Sequence, residues 1–546
     1  MGFMSRIMSK MLKLPPAETY DIAVERDLKI PMSDGVILLA DHYYPRTLGQ
    51  RPTILIRSMY PDRTKGGYMG EIIAERGFQV VIVSGRGVCG SGGEMTPFMT
   101  EHEDGVAVLS WLKEQTWFDG CLGTLGQSYL GFTQWAIAYE GGSMLKAMST
   151  QMTSSDLRSI VYPGNAFSLE VLLGWLSMID SQEASMFRNL GNIILGGKRR
   201  KKIAWHLPLI DLDKVMTGKE YEFWRSWLIH DDPKDDWWAP GDHSHMISKV
   251  TAPNHMISGW HDFMLPSTIR DYNLLRKSGQ EPYLTIGPWT HFDTEAFSMG
   301  INEALIWLRA HLLNDRKNLR DSPVRIFVMG SQEWREYPYW PPANIKYQHL
   351  YFQPSGGLSA KFPPVSEPDH YCYDPVNPTP SVGGFRSFGQ GRPVLDNRFL
   401  EERTDVLTYT SDVLDYDMEI IGPVSSELFI RSTLENTDFF VRVCDVDPSG
   451  KSLNVCDGLL RLAPGRPNPA PDGIKKIKIE LWPTAYCFQK GHRIRIQVSS
   501  GSFPRWNRNL GTYESLGTGM KMAIAEQLVY HDPHHPSAII LPTSEL

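Results

Sequence analysis

The 546-residue sequence is poor in cysteine and has no long apolar run. Its six cysteines stand far apart, at positions 89, 121, 372, 444, 456 and 487, and no two form a C-x-x-C pair. That sparseness excludes a disulfide scaffold. No Asn-x-Ser/Thr acceptor with a non-proline middle residue occurs. No stretch approaches the ~18 apolar residues of a membrane helix. The segment from Met1 to Lys13 is interrupted by charge every few positions and lacks the apolar region, about 7–15 residues long, of a secretory signal. The basic run from Lys198 to Lys202 is short and reads as a solvated turn, and a net charge of −7 gives no nucleic-acid footprint. These absences lead to the expectation of a soluble, cytoplasmic protein with neither nucleic-acid nor membrane partners.

What is present reads as several domains, since the chain is too long for one core. Residues 20–44 alternate apolar and polar around the turn Ser33-Asp-Gly35, as a strand pair does. Residues 53–56 and 79–83 are short continuous apolar runs, the signature of strands buried on both faces. Helical spacing covers 67–76 and 104–115, and strand–helix alternation predicts a mostly parallel α/β sheet. Residues 153–246 contain no clear strand. Residues 167–179 are apolar on nearly all sides, and six tryptophans (175, 205, 224, 227, 237 and 238) crowd this helical insertion. The α/β pattern resumes at 254–258 and 283–286. From about residue 346 short β-rich runs separated by turns predict a jelly-roll sandwich. The expected division is therefore an α/β core over 1–152 and 247–345, a helical cap over 153–246 and a jelly roll over 346–546, with the Pro/Gly-rich stretch 338–357 as the linker.

Chemistry concentrates in Cys121-Leu-Gly-Thr-Leu-Gly-Gln-Ser-Tyr-Leu-Gly-Phe-Thr-Gln-Trp135. This reads as a strand, a sharp turn with room made by Gly126, and a helix starting after Ser128. A serine at such an apex is strained, with its hydroxyl above the sheet and free N–H groups beside it. The usual elbow is G-x-S-x-G, but Leu130 takes the second glycine place and Gly131 follows one residue later. Taken alone, the segment leaves a buried structural serine as an alternative. Two further residues follow strands in the chain order that α/β-hydrolases use: Asp262 in Gly259-Trp-His-Asp and His291 in Gly287-Pro-Trp-Thr-His. Two other patterns carry less. The G-x-G-x-x-G of Gly85–Gly90 is followed by Ser91-Gly-Gly-Glu-Met-Thr-Pro97, which cannot open a helix, so it is a loop and not a dinucleotide site. Asp242-His-Ser-His245 and His531-Asp-Pro-His-His535 lack metal-ligand spacing and are expected in surface loops.

With these motifs assembled, the sequence resembles the family of bacterial cocaine esterases and X-Pro dipeptidyl-peptidases, the CocE/NonD type of α/β-hydrolase, from about Lys29 to Leu541. The family's G-x-S-Y-x-G elbow is Gly126-Gln-Ser-Tyr-Leu-Gly131, its G-W-x-D ends at Asp262, and its G-P-W-x-H ends at His291. The resemblance implies Ser128 as nucleophile, His291 as base and Asp262 as the acid that orients it. It also implies an oxyanion hole made of the Tyr60 hydroxyl and the Tyr129 backbone N–H. Trp175 matches a tryptophan that lines the acyl pocket. Met264 stands where the cocaine-hydrolysing relative has a pocket phenylalanine, which argues against benzoyl-ester specificity. Residues 159–165 hold no acid where relatives acting on α-amino acid esters carry carboxylates. The implied protein is a cofactor-free and metal-free serine esterase acting on a small-molecule ester, with room for a homodimer. Alternatives are an acyltransferase using the same triad, an X-Pro dipeptidyl-peptidase, or a carbohydrate-binding protein with an inactive site.

Overall fold

The computed structural model describes residues 3–64, 67–182, 196–385, 392–463 and 473–544. Two compact units emerge, one of Met1–Ile160 with Asp236–Arg325 and one of Val161–Asp235 with Ile326–Leu546.

The first unit is built on a sheet whose strands run β1 (Ile22–Pro31), β2 (Ile37–Pro45), β3 (Thr53–Ser58), β4 (Gln79–Ser84), β5 (Leu122–Gln127), β6 (Leu145–Gln151), β7 (Asn254–Gly259) and β8 (Tyr283–Gly287). Their spatial order is β1-β2-β4-β3-β5-β6-β7-β8. The turn at Ser33–Gly35 joins β1 to β2 as an antiparallel hairpin, and β2 pairs antiparallel with β4. From β4 onward every pairing is parallel. All six residues of β3 and of β4 are buried, which is why these runs are apolar without alternation. Helices α1 (Tyr68–Ala74), α2 (Glu101–Lys113), α3 (Tyr129–Trp135), α5 (Leu265–Lys277) and α6 (Thr294–Leu312) belong to this unit, and α4 (Leu169–Ser181) to the second. The glycine-rich 85–90 loop is a turn with no helix until α2, and Arg86 ties it to Asp104.

The second unit joins the middle of the helical insertion to the all-β domain. Helix α4 carries Trp175, and the Phe167 backbone bonds Asn507. Long antiparallel strands such as Thr437–Val446, Ser452–Leu462 and Arg493–Ser499 form its body. The boundaries read at 152/153 and 246/247 bracket the insertion, whereas the compact units divide at 160/161 and 235/236.

Two expectations need correction. The 338–357 stretch is no bare linker: strand Ile345–Gln353 runs through it and pairs with Ala538–Ser544. Prolines and glycines flank that strand and hid its pattern. Nor do the histidine-rich stretches lie wholly in surface loops. His531 is buried in strand Ala525–Asp532, with Nε2 on Asp369 at 3.0 Å and Nδ1 on Ser366 Oγ at 2.9 Å. His243 is buried against Phe132 of α3. Ser366 and Asp369 give His531 polar partners out of water, whereas His243 is buried with no hydrogen bond on its Nε2 from the described residues. Among the described residues no group of three or more side chains could hold a metal ion, and no helix is long and apolar enough to cross a membrane.

Burial, and then the neighbouring His102, hold His243 down from the usual imidazole value to about 4. The unfolded chain takes up this proton near pH 6.5 and the folded chain does so only near 4. This contribution to stability is therefore complete above about pH 6.5 and is lost as pH falls toward 4, with a size on the order of 3 kcal/mol. His243→Phe is expected to flatten the fall of melting temperature between about pH 7 and pH 4.5, leaving the slope due to other buried histidines such as His255. Identical slopes for the two proteins would refute this account.

Candidate active site

The sequence 126–131 becomes a strand-to-helix turn. Ser128 sits at φ 61°, ψ −122°, a left-handed backbone that costs a non-glycine residue roughly 1–3 kcal/mol. Its N–H bonds the Gln151 carbonyl at the end of β6. The two glycines explain the spacing of the motif. A Cβ on Gly126 would lie 2.3 Å from Leu130 Cβ, and one on Gly131 would lie 2.6 Å from Thr153 Cβ. The second glycine is at 131, not 130, because Thr153 packs there. Its Oγ1 donates to the Ser128 carbonyl at 2.8 Å, and Thr268 Oγ1 of α5 donates to the Thr153 carbonyl at 3.0 Å.

The loops after β7 and β8 interlock. A Cβ on Gly259 would meet Trp289 O at 2.3 Å, and one on Gly287 would meet the Trp289 ring at 2.4 Å. The Trp260 N–H bonds Gly287 O at 2.9 Å and the His261 N–H bonds Trp289 O at 3.0 Å. This arrangement brings Asp262 Oδ2 to 2.7 Å from His291 Nδ1. The Met264 N–H donates to Asp262 Oδ1 at 2.5 Å. Asp262 is fully buried and His291 is 1% exposed. Gln127 Nε2 donates to the His291 carbonyl at 2.6 Å, tying the His291 loop to the residue before Ser128. The structure thus joins Asp262 to His291 directly, but among the described residues no hydrogen bond joins Ser128 Oγ to His291. Such bonds often tighten only when substrate is bound.

Tyr60 is half-buried just beyond β3, with its ring centroid 6.1 Å from that of Tyr129 in an edge-on arrangement. Its N–H bonds Ser58 Oγ, which donates to Asp62 at 2.5 Å. Met264 is 5% exposed and stands at the start of α5. Trp175 belongs to the second unit, in an aromatic cluster with Phe223 and Trp227 at 5.4 and 5.7 Å.

Several contributors carried no sequence signal. Phe263 places its ring 4.5 Å from that of His291. Gln127, Thr153 and Thr268 are unremarkable residue types whose roles exist only in the folded chain. Gln127 alone lies inside a recognisable motif.

The chain is similar to known proteins over most of its length. Residues 34–293 match the X-Pro dipeptidyl-peptidase (S15 family) model, and residues 318–540 match the X-Pro dipeptidyl-peptidase C-terminal non-catalytic domain. A cocaine esterase of Rhodococcus sp. (strain MB1 Bresler) is 31% identical, the alignment covering 95% of this chain and 98% of that protein. Among solved structures, an aminopeptidase from a marine sediment Thaumarchaeota archaeon superposes with a TM-score of 0.81 at 22% identity, covering 97% of this chain and 98% of the other. An α-amino acid ester hydrolase gives 0.80 at 22%, with the same coverage. These two likenesses establish the fold. Full-length similarity at 31%, with the catalytic and C-terminal models matched one after the other, makes the chain a member of the S15 family of α/β-hydrolases, of the cocaine esterase type.

Proposed function

We propose that the protein cleaves carboxylic esters of small organic substrates through an acyl-enzyme on Ser128. The observation that carries this is the buried Asp262–His291 hydrogen bond, on the same sheet that holds Ser128 in its left-handed turn. With Nδ1–H donated to Asp262, the Nε2 lone pair of His291 is left to take a proton. His291 removes the Ser128 proton as Oγ attacks the ester carbonyl, and the Tyr60 hydroxyl and Tyr129 N–H bind the oxyanion. Collapse breaks the ester C–O bond, and the alcohol leaves with the proton from His291. Water, deprotonated by the same imidazole, then attacks the acyl-enzyme and frees Ser128. No step calls for a cofactor.

The cocaine esterase relative supports an ester over a peptide substrate. Met264 beside the acid replaces an aromatic wall with a flexible thioether, which favours alkyl over benzoyl acyl groups. An ammonium-bearing substrate would need free carboxylates. Asp156, the acid preceding the 159–165 stretch, is instead paired with Arg270 at 3.2 Å. The six unpaired cysteines support a reducing, cytoplasmic location.

The test is stopped-flow mixing with a short-chain p-nitrophenyl ester. A burst of p-nitrophenol equal to the enzyme concentration, followed by slower turnover, is the expected trace. No release above a buffer blank would overturn the esterase reading. With added alcohol, a product mixture dominated by the new ester would move the assignment to acyl transfer.

A further inference from the structure

The reaction uses the Tyr129 backbone, yet the Tyr129 side chain is anchored in its own right. The residue is 2% exposed. Its hydroxyl donates to Glu101 Oε1 at 2.5 Å and accepts the Phe98 N–H at 3.0 Å. The other carboxylate oxygen, Oε2, takes Arg57 Nη2 at 2.5 Å. Arg57 is also bound to α3, where its carbonyl accepts from Thr133 Oγ1 at 3.2 Å. Glu101 and Arg57 are 8% and 5% exposed. One buried pair therefore joins three segments: the end of β3, three residues before Tyr60; the start of α2; and Tyr129, the first residue of α3.

Ordinary packing does not require this arrangement. A buried ion pair repays its desolvation poorly, and apolar residues of similar size often serve stability as well. The surroundings are nevertheless shaped to it. A Cβ on Gly105 of α2 would lie 2.2 Å from Ile137 Cγ2 and 2.3 Å from Arg57 Nη1, so a side chain there would displace the guanidinium from its present place. Phe98 is held at φ 69°, a costly backbone for a bulky residue, and its N–H is the one that reaches the Tyr129 hydroxyl. Burial and the Glu101 carboxylate keep that hydroxyl protonated, with its pKa well above the usual phenol range, so it remains a donor. Meanwhile α3 is only seven residues long and has no side-chain cap at its start. The Tyr129 N–H shares a peptide plane with the Ser128 carbonyl, whose bonds from Thr153 Oγ1 and from the Gly131 and Phe132 N–H groups set the tilt of that plane, so what the side-chain anchor adds is the place of the plane relative to β3.

We propose that Glu101 is the positioning residue of the oxyanion hole, gripping Tyr129 and Arg57 so that the Tyr129 N–H and the Tyr60 hydroxyl converge on one point. This rests on the roles given to Ser128, Tyr60 and Tyr129 under the proposed function. A charged acceptor suits the task because its bonds are shorter and stronger than those of a neutral one.

Two variants test it. Tyr129→Phe deletes only the hydroxyl, keeps the ring among Phe98 and Phe132, and leaves the Arg57–Glu101 pair intact. Glu101→Gln removes the charge. In each, kcat on a p-nitrophenyl ester should fall about 10–100-fold with KM nearly constant, as a misdirected donor does. The rate of organophosphonate labelling of Ser128 should fall by a similar factor, since that reaction develops the same oxyanion. The double variant should be no worse than the worse single one, because both cut one tether. If Glu101→Gln does not fold, Tyr129→Phe decides. An unchanged kcat with only a lower melting temperature, or a raised KM alone, overturns the positioning role. Wild-type enzyme left unlabelled at Ser128 overturns instead the function on which it rests.

Discussion

An S128A variant is expected to lose ester hydrolysis and covalent labelling by an organophosphonate together, with kcat lower by on the order of 10⁶. Alanine occupies the φ 61° position at the same backbone cost as serine, so the turn should survive and the circular dichroism and melting curve should match wild type. What disappears is the Oγ that forms the acyl bond. Residual activity over water should come from the oxyanion donors and substrate binding alone. Mass spectrometry of the labelled wild-type protein should find the phosphonate on the peptide holding Ser128. A label on any other serine, or an S128A protein that still turns over the ester at near wild-type rate, removes Ser128 from its role.

The next largest effect is expected from D262N, at about 10⁴ in kcat. The carboxylate accepts from the Met264 N–H on Oδ1 and from His291 Nδ1 on Oδ2. Asparagine has one acceptor and one donor end. The fixed Met264 N–H claims its oxygen and turns the NH₂ toward His291. Nδ1 must then accept, the ring proton moves to Nε2, and the imidazole can no longer receive the Ser128 proton. The side-chain volume hardly changes, so folding should be little affected. Activity per folded molecule, measured beside a melting curve, checks this. An asparagine variant within tenfold of wild type would show that Asp262 does not set the tautomer.

The sequence made the core and the order of chemical groups readable because both rest on local signals. Residues 54–56 and 80–83 are apolar without alternation since β3 and β4 are buried on both faces. The glycines of 126–131, 259 and 287 mark close approaches that any side chain would obstruct. What stayed hidden depends on distant partners. Glu101 lies 28 residues from Tyr129 and 44 from Arg57, and nothing in its neighbours announces the contact. His243 reads as a polar loop residue until Phe132 is seen beside it. The strand Ile345–Gln353 was masked by flanking prolines and glycines, and its pairing partner lies near the far end of the chain. The elbow glycine looked misplaced by one residue only because Thr153, 22 positions beyond Gly131, could not be foreseen to pack there.

The interlock around Trp289 separates what this enzyme can vary from what it must keep. Gly259, Gly287 and Trp289 hold the Asp262 and His291 loops as one mechanical part, so neither loop can be lengthened or exchanged alone. Met264 lends the acid only its backbone N–H, which every residue except proline supplies. Its side chain, 5% exposed, can change within the space it fills while the Asp262–His291 hydrogen bond stays in register. A mutational library is expected to tolerate side chains of similar volume at 264 and few changes at 259, 287 and 289. The fold thus sets a replaceable side chain two residues from Asp262, the carboxylate that its own backbone holds.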